Sequence, residues 1–191
     1  MTEKVALAEL LVTTRGWQHP GWEGSFYPED MPEDWRLAYF ANSFPAVLIP
    51  GDELAKLDKN TVEEWLEELD DDFVFYLEKN AASDVIKAFG NRLAGILAGG
   101  PIQDVREFKE DSSISLQNAP NSKIFVSADG DECFCLYRPP MELSMVDLRV
   151  DIEGILAVSK TAKRCVLCWD TEVPLAEALE NAKVIAELLG A

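Results

Sequence analysis

Along most of this chain, short runs rich in β-branched and aromatic residues alternate with segments whose apolar positions recur every three or four residues. That alternation restricts the fold more than any other feature. The strand-like runs are AELLVTT (8–14), PAVLIP (45–50), FVFYL (73–77), KIFVSA (123–128), ECFCLYR (132–138) and RCVLCWD (164–170), with SISLQ (113–117) less regular. Between them, Leu37, Phe40, Ala41 and Phe44 predict a helix from about Asp34. Val62, Trp65, Leu66 and Leu69 predict a second, opened by a Thr61–Glu64 capping box. A third helix is expected over 83–98 and a fourth over 143–160, the latter carrying Val146 and Val150. The last is the best marked, with Pro174 at its start, a stripe that includes Leu175, Leu179, Ala182 and Ile185, and Gly190 at its end. Asp129-Gly130 reads as a two-residue hairpin turn. Parallel strands need crossover connections, and helices that make those crossovers cover the sheet faces, so the expected class is α/β with a parallel sheet. No repeat, low-complexity tract or linker divides the chain, which predicts one domain over residues 1–191.

Charge narrows the partners. The 17 basic side chains against 35 acidic ones leave a net charge of −18, which works against the phosphate-neutralising surface that nucleic acid requires and against an anionic membrane. The first residues, MTEKVALAELLVTTRG, lack a basic flank followed by a long apolar stretch, and a cytoplasmic protein is expected. Cys133 and Cys135 form one close pair and Cys165 and Cys168 another, a spacing at which four thiolates can hold zinc. Both pairs lie in strand-like runs without a glycine knuckle, and alternation sends Cys165 and Cys168 to opposite faces. Buried small hydrophobes are the expected role, with no metal and no cofactor.

The segment TTRGWQHPGWEGSFYP (13–28) holds two of the five tryptophans and the single histidine. Gly16-Trp17, Pro20, Trp22, Gly24 and Phe26-Tyr27-Pro28, followed by Leu37, Tyr39, Phe40, Ala41 and Phe44, resemble the amino-terminal signature of the YecE-like family, a domain of unknown function of TIM-barrel type. Phe73 and Phe75 in DDFVFYLEKN are similar to that family's third-strand segment. Trp169-Asp170 and the helix residues Ala178, Asn181-Ala182 and Ile185 are similar to its carboxyl end. Departures are as informative. His19 stands where the family has Tyr, Glu78 where it has Lys, and IPGDEL replaces an acidic, Asn and Phe-Tyr pattern. At 191 residues the chain is also shorter than the ~250 typical of a (β/α)₈ barrel. The resemblance therefore implies a TIM-barrel-like fold that is incomplete or distorted.

In such a barrel the segment RGWQHPGW is the loop after the first strand, on the face where sites are built. Arg15, Trp17, His19 and Trp22, with Asp170 from the last strand, then form a candidate pocket for a small anionic or planar ligand. The alternative is that the tryptophans plug the barrel end and a backbone carbonyl satisfies His19. The acidic run EEWLEELDDD, with seven carboxylates over 63–72, is either a solvated helix face or a docking surface for a basic protein partner. ADGDE (128–132) lacks a calcium-loop pattern, and no glycine-rich phosphate loop occurs. The polar positions that mark the family are mostly replaced, which points to a non-catalytic interaction protein. The alternative is a small-molecule pocket or enzyme using Arg15, His19 and Asp170.

Overall fold

The computed structural model describes residues 8–98, 105–158, 162–172 and 176–191. The first part of the chain follows the expected alternation. Strand β1 (Glu9–Thr14) leads through two 3-10 turns to helix α1 (Arg36–Ala41), then come β2 (Ala46–Ile49), α2 (Gly51–Leu54), α3 (Lys59–Glu68), β3 (Val74–Lys79), α4 (Ser83–Phe89) and β4 (Leu93–Ala98). The middle is a meander of β5 (Phe108–Glu110), β6 (Lys123–Ser127) and β7 (Glu132–Tyr137). After it come α5 (Met145–Val158), β8 (Arg164–Trp169) and α6 (Ala176–Leu189).

Two sheets result, one in the order β1-β8-β7-β6-β5 and one in the order β2-β3-β4. Pairs β1–β8, β7–β8, β2–β3 and β3–β4 are parallel, whereas β5–β6 and β6–β7 are antiparallel. Among the described residues the ladders of the two sheets are joined by single bridges, Arg15 with Leu48 and Ile96 with Glu107. An uninterrupted ladder is hindered at the first seam because β2 lies between Pro45 and Pro50, and proline brings no N–H to a ladder. The expected parallel sheet is thus a mixed α/β arrangement in two sheets, and the hairpin expected between KIFVSA and ECFCLYR is present as the antiparallel pair β6–β7. Among the described residues no helix follows β4, β5 or β6, which accounts for the short chain.

One apolar cluster lies under the helices and includes Val12, Phe40, Val62, Phe75, Ile155 and Leu179. A second lies between the sheets, where Leu48, Tyr76, Leu97, Phe108, Phe134 and Val166 come from six different strands. The rings of Tyr76 and Phe134 stand 4.8 Å apart. Glu132 is 1% exposed in this interior, and it accepts hydrogen bonds from the Tyr76 hydroxyl and the Arg106 guanidinium.

Several boundaries differ from the expectation for identifiable reasons. The helix expected over 83–98 stops at Phe89, because Gly90 takes φ 54° and LAGILA continues as β4, a fully apolar strand that periodicity alone cannot tell from a helix. The N-cap of α3 is Asp58, whose Oδ1 accepts from the Thr61 N–H at 2.9 Å, so the Thr61–Glu64 box lies inside the helix. SISLQ is irregular, and Phe108–Glu110 is the strand instead. Residues 128–131 form a longer connection than two residues, in which Asp129 Oδ1 accepts from Ser127 Oγ at 2.5 Å and from the Asp131 N–H at 3.1 Å. Val146 is 71% exposed at the start of α5, while Leu148, Ile152 and Ile155 face the core. Pro174 and Leu175 lie outside the described residues, as does Lys160.

Gly95 marks the tightest contact of the second cluster. A Cβ there would come within 2.3 Å of the Phe108 ring and 3.2 Å of the Arg106 carbonyl oxygen. Gly95→Ala is expected to lower stability by about 1–3 kcal/mol in urea unfolding, and Phe108→Leu in the same chain to recover part of the loss. An unchanged midpoint for Gly95→Ala would show that β4 and β5 are not in this contact.

Candidate functional site

The carboxyl ends of the parallel strands converge on a chain of charges. Arg15, one residue beyond β1, forks onto Glu78 of β3 through Nε–Oε1 at 2.9 Å and Nη2–Oε2 at 2.8 Å. Its guanidinium also stands 3.8 Å from Asp170, beyond β8, and 3.9 Å from Asp52. Arg138, beyond β7, donates to Asp170 at 2.7 Å and 2.6 Å. The sequence thus runs in space as Glu78–Arg15–Asp170–Arg138. Glu78 Oε2 also accepts from the Gly51 N–H at 2.6 Å, and a side chain at Gly51 would press Lys79 at 2.8 Å and Glu78 at 3.1 Å. Burial raises the Glu78 carboxyl, but the hydrogen bonds from Arg15 and Gly51 prevail and hold it below the usual carboxylate range. The hydrogen bond to Glu78 raises Arg15 against the opposing effect of burial.

Arg15 and Asp170, both proposed from sequence, therefore meet. Arg138 and Asp52 were not singled out, and Glu78 was noted only as a departure from a family pattern. What they share is position, since Glu78 closes its strand's alternation and Arg138 and Asp170 each follow the last strand residue.

The other proposed residues stand apart from this chain of charges. Trp17 is 4% exposed and meets Trp65 edge to face at 5.1 Å, while its carbonyl accepts from the Tyr27 hydroxyl at 2.6 Å. Trp22 is 1% exposed among Phe26, Tyr27 and Phe40. His19 lies against Trp22, ring centres 4.5 Å apart, with Nδ1 at 3.4 Å from the Glu172 carbonyl oxygen and Nε2 at 3.3 Å from that of Gly16. A neutral imidazole donates to only one of these acceptors. Burial nonetheless holds His19 below its ordinary value, outweighing the two carbonyls, and Arg15 adds in the same direction.

All four cysteines are buried and none forms a disulfide with another. Cys133, Cys135 and Cys165 face the helices and Cys168 the interior between the sheets, as alternation predicted. Burial pushes the Cys135 and Cys168 thiols up, and the Cys133–Cys165 contact raises Cys133 as well. Among the described residues, no group of three or more His, Cys, Asp or Glu side chains is placed to hold a metal ion, and no helix is long and apolar enough to cross a membrane. A cavity of about 450 Å³ lies beside the strand ends, lined by Pro139, Pro140, Met141 and Leu143 before α5, by Trp169, Thr171 and Glu172 after β8, and by Ala178 of α6.

Residues 11–82 match the family DUF72, a protein family of unknown function that is the same as the YecE-like family, so the resemblance carried by the aromatic motif holds. A DUF72 family protein from Thermotoga maritima MSB8 is similar in fold, with a TM-score of 0.64 over 96% of this chain and 100% of that one at 13% identity. Another from Enterococcus faecalis V583 gives 0.57 over 97% and 99%, at 11% identity. No curated protein matches the chain significantly.

The lowered His19 pKa has a signed consequence. The unfolded chain takes up the proton more readily than the fold does, so the stability held by neutral His19 is complete above the ordinary value of about 6.5 and is lost as pH falls through the lower folded value. His19→Gln is expected to flatten stability against pH between about 7 and 5, measured by urea midpoints. Parallel wild-type and variant curves across that window would contradict the assignment.

Proposed function

With residues 11–82 as a DUF72 segment for premise, we propose that this protein is a non-catalytic interaction protein on a distorted (β/α) barrel, acting on a basic protein partner through the acidic face of α3. The single observation that carries the non-catalytic reading is the charge chain at the strand ends. Where a barrel enzyme presents a poised acid, base or nucleophile, Arg15, Glu78, Asp170 and Arg138 satisfy one another. His19 is wedged between two carbonyls, and the Cys133, Cys135 and Cys168 thiols are buried and held protonated. An anionic ligand at Arg15 would have to displace a bidentate carboxylate, which disfavours the small-ligand alternative at Arg15, His19 and Asp170. The barrel reading is supported by the shared interior cluster, by the bridges at both seams and by the fold-level similarity to DUF72 structures.

The acidic face supplies the surface. Glu63, Glu64, Glu67, Glu68 and Asp70–Asp72 are exposed, while Val62 turns inward. The ion pairs within this run are Lys59–Glu63 at 3.1 Å and Arg92–Asp71 at 3.6 Å, so the face keeps a strong excess of negative charge. Such a face attracts a lysine- or arginine-rich segment within about 10 Å at ordinary salt.

Replacing Glu63, Glu64, Glu67 and Glu68 with Lys is expected to weaken binding of a lysine-rich peptide at least about tenfold in calorimetry at moderate salt. The same reversal at Glu29, Asp30, Glu33 and Asp34, also exposed, should leave it within about twofold. Equal losses from both variants would reduce the effect to net charge and remove the docking surface.

A further inference from the structure

We infer that the cavity beyond the ends of β7 and β8 binds a small organic cation, a primary amine carried on an apolar body, with the ammonium group at Glu172. The cavity holds about 450 Å³, within the range of small-molecule sites, and it lies at the carboxyl ends of parallel strands, where α/β folds place such sites. Its walls are tied together at their roots. β7 and β8 are in register at Tyr137 and Trp169, the Asp170 N–H donates to the Tyr137 carbonyl at 2.9 Å, and Arg138 is paired with Asp170. One wall starts directly after Arg138 as Pro139-Pro140, whose rings fix φ, and the other starts directly after Asp170. The Trp169 ring is held edge-on against Tyr137 at 5.1 Å, and the Tyr137 hydroxyl is fixed to Asp151 at 3.0 Å. A ligand therefore meets a shape that is present before it arrives, which lowers the cost of binding.

The lining sets the ligand class by elimination. Pro139, Pro140, Met141, Leu143 and Ala178 offer apolar side chains. Trp169 Nε1 and Thr171 Oγ1 are sealed beneath the wall, out of reach from the cavity. Glu172, an exposed residue, is thus the lining side chain left to meet a polar group, and a carboxylate accepts hydrogen bonds and carries negative charge. Among the described residues no ion pair engages it, whereas Arg138, which adjoins the lining in sequence, is engaged by Asp170. Glu142 and Glu177 also adjoin the lining in sequence and are exposed, in a chain of net charge −18. Such a field turns away carboxylates and phosphates and concentrates cations. An ammonium group supplies both the charge and the donors that Glu172 accepts, and an apolar body fills the remaining wall. The inference goes beyond the docking role, because the cavity shares no residue with the acidic face of α3 or with Arg15, His19 and Asp170, and it can fail alone.

The test uses the whole chain, labelled with ¹⁵N, and follows the backbone amides of Met141, Thr171, Glu172 and Ala178. Four probes are titrated near neutral pH: 2-phenylethylamine, its neutral counterpart 2-phenylethanol, the anion phenylacetate, and ethylamine, which keeps the charge and lacks the ring. Phenylethylamine should shift these amides saturably. Phenylethanol should bind about threefold more weakly, the worth of a solvent-exposed ion pair, and ethylamine about tenfold or more weakly for want of apolar contact. Glu172→Gln, a change at an exposed position that leaves the fold intact, should weaken phenylethylamine about threefold and leave phenylethanol unchanged. The inference is overturned if phenylethylamine leaves the four amides unmoved, or if phenylethanol or phenylacetate binds as well as the amine. It is equally overturned if Glu172→Gln changes nothing, or if ethylamine matches phenylethylamine, which would reduce the effect to net charge. Shifts confined to the amides of α3 would place the cation on the acidic face and overturn the cavity while sparing the docking surface.

Discussion

The hydrogen bond between Tyr76 and Glu132 is the contact on which the relative position of the two sheets depends. Tyr76 belongs to the three-stranded sheet and Glu132 to the five-stranded one, and they meet inside the apolar cluster between them. A carboxylate in such surroundings is tolerated only when its oxygens are paired. Here the phenol takes one oxygen and Arg106 the other, with Arg106 also 3.3 Å from Asp129. Burial and the adjacent carboxylate both push the Tyr76 hydroxyl up, so it stays a donor at any ordinary pH. Apolar contact alone would let two sheets slide, since it has no direction. A satisfied buried polar contact does not.

The same division explains the strand ends. Arg15 sits at the seam itself, its backbone bridged to Leu48 of one sheet and its neighbour β1 laddered to β8 of the other. Its side chain repeats the pattern, forked onto Glu78 on one side and near Asp170 on the other. The charged residues at these strand ends are therefore used to join the sheets. Two polar links therefore join the sheets, one through the buried Tyr76 across the interior and one through the half-buried Arg15 at the β1–β2 seam.

Six of the eight strands among the described residues were legible from β-branched and aromatic runs, because a strand buried on one or both faces leaves that trace directly. LAGILA was not. It is apolar throughout and follows a helix without proline, so only the Gly90 conformation separates the two elements. Phe108–Glu110 is too short to show any period, and its place is set by the fit of Phe108 against Gly95 of β4. Of the candidate residues, Arg15 and Asp170 were legible because strand ends follow from strand assignments. Arg138 and Asp52 were not, since ion pairing across strands depends on a register that no local pattern encodes. That Trp169 Nε1 and Thr171 Oγ1 are buried without a partner was equally hidden, because the pairing of a buried polar atom is a property of the folded neighbourhood.

The strand order carries a consequence for how the chain comes off the ribosome. β1 precedes the other described strands, yet its full-length partner is β8, and the Glu9–Arg164 contact across that pair spans 155 residues. Until β8 emerges, the links from β1 to a neighbouring strand among the described residues are the bridge at Arg15 and the Thr13 hydroxyl reaching the Ala46 carbonyl. For most of synthesis one edge of an apolar strand is thus open to pairing with other chains. A nascent protein of this topology depends on early shielding of that edge, and the aromatic block that follows β1 directly, with Trp22, Tyr27 and Phe40 already in contact, is the nearest apolar mass able to collapse over it.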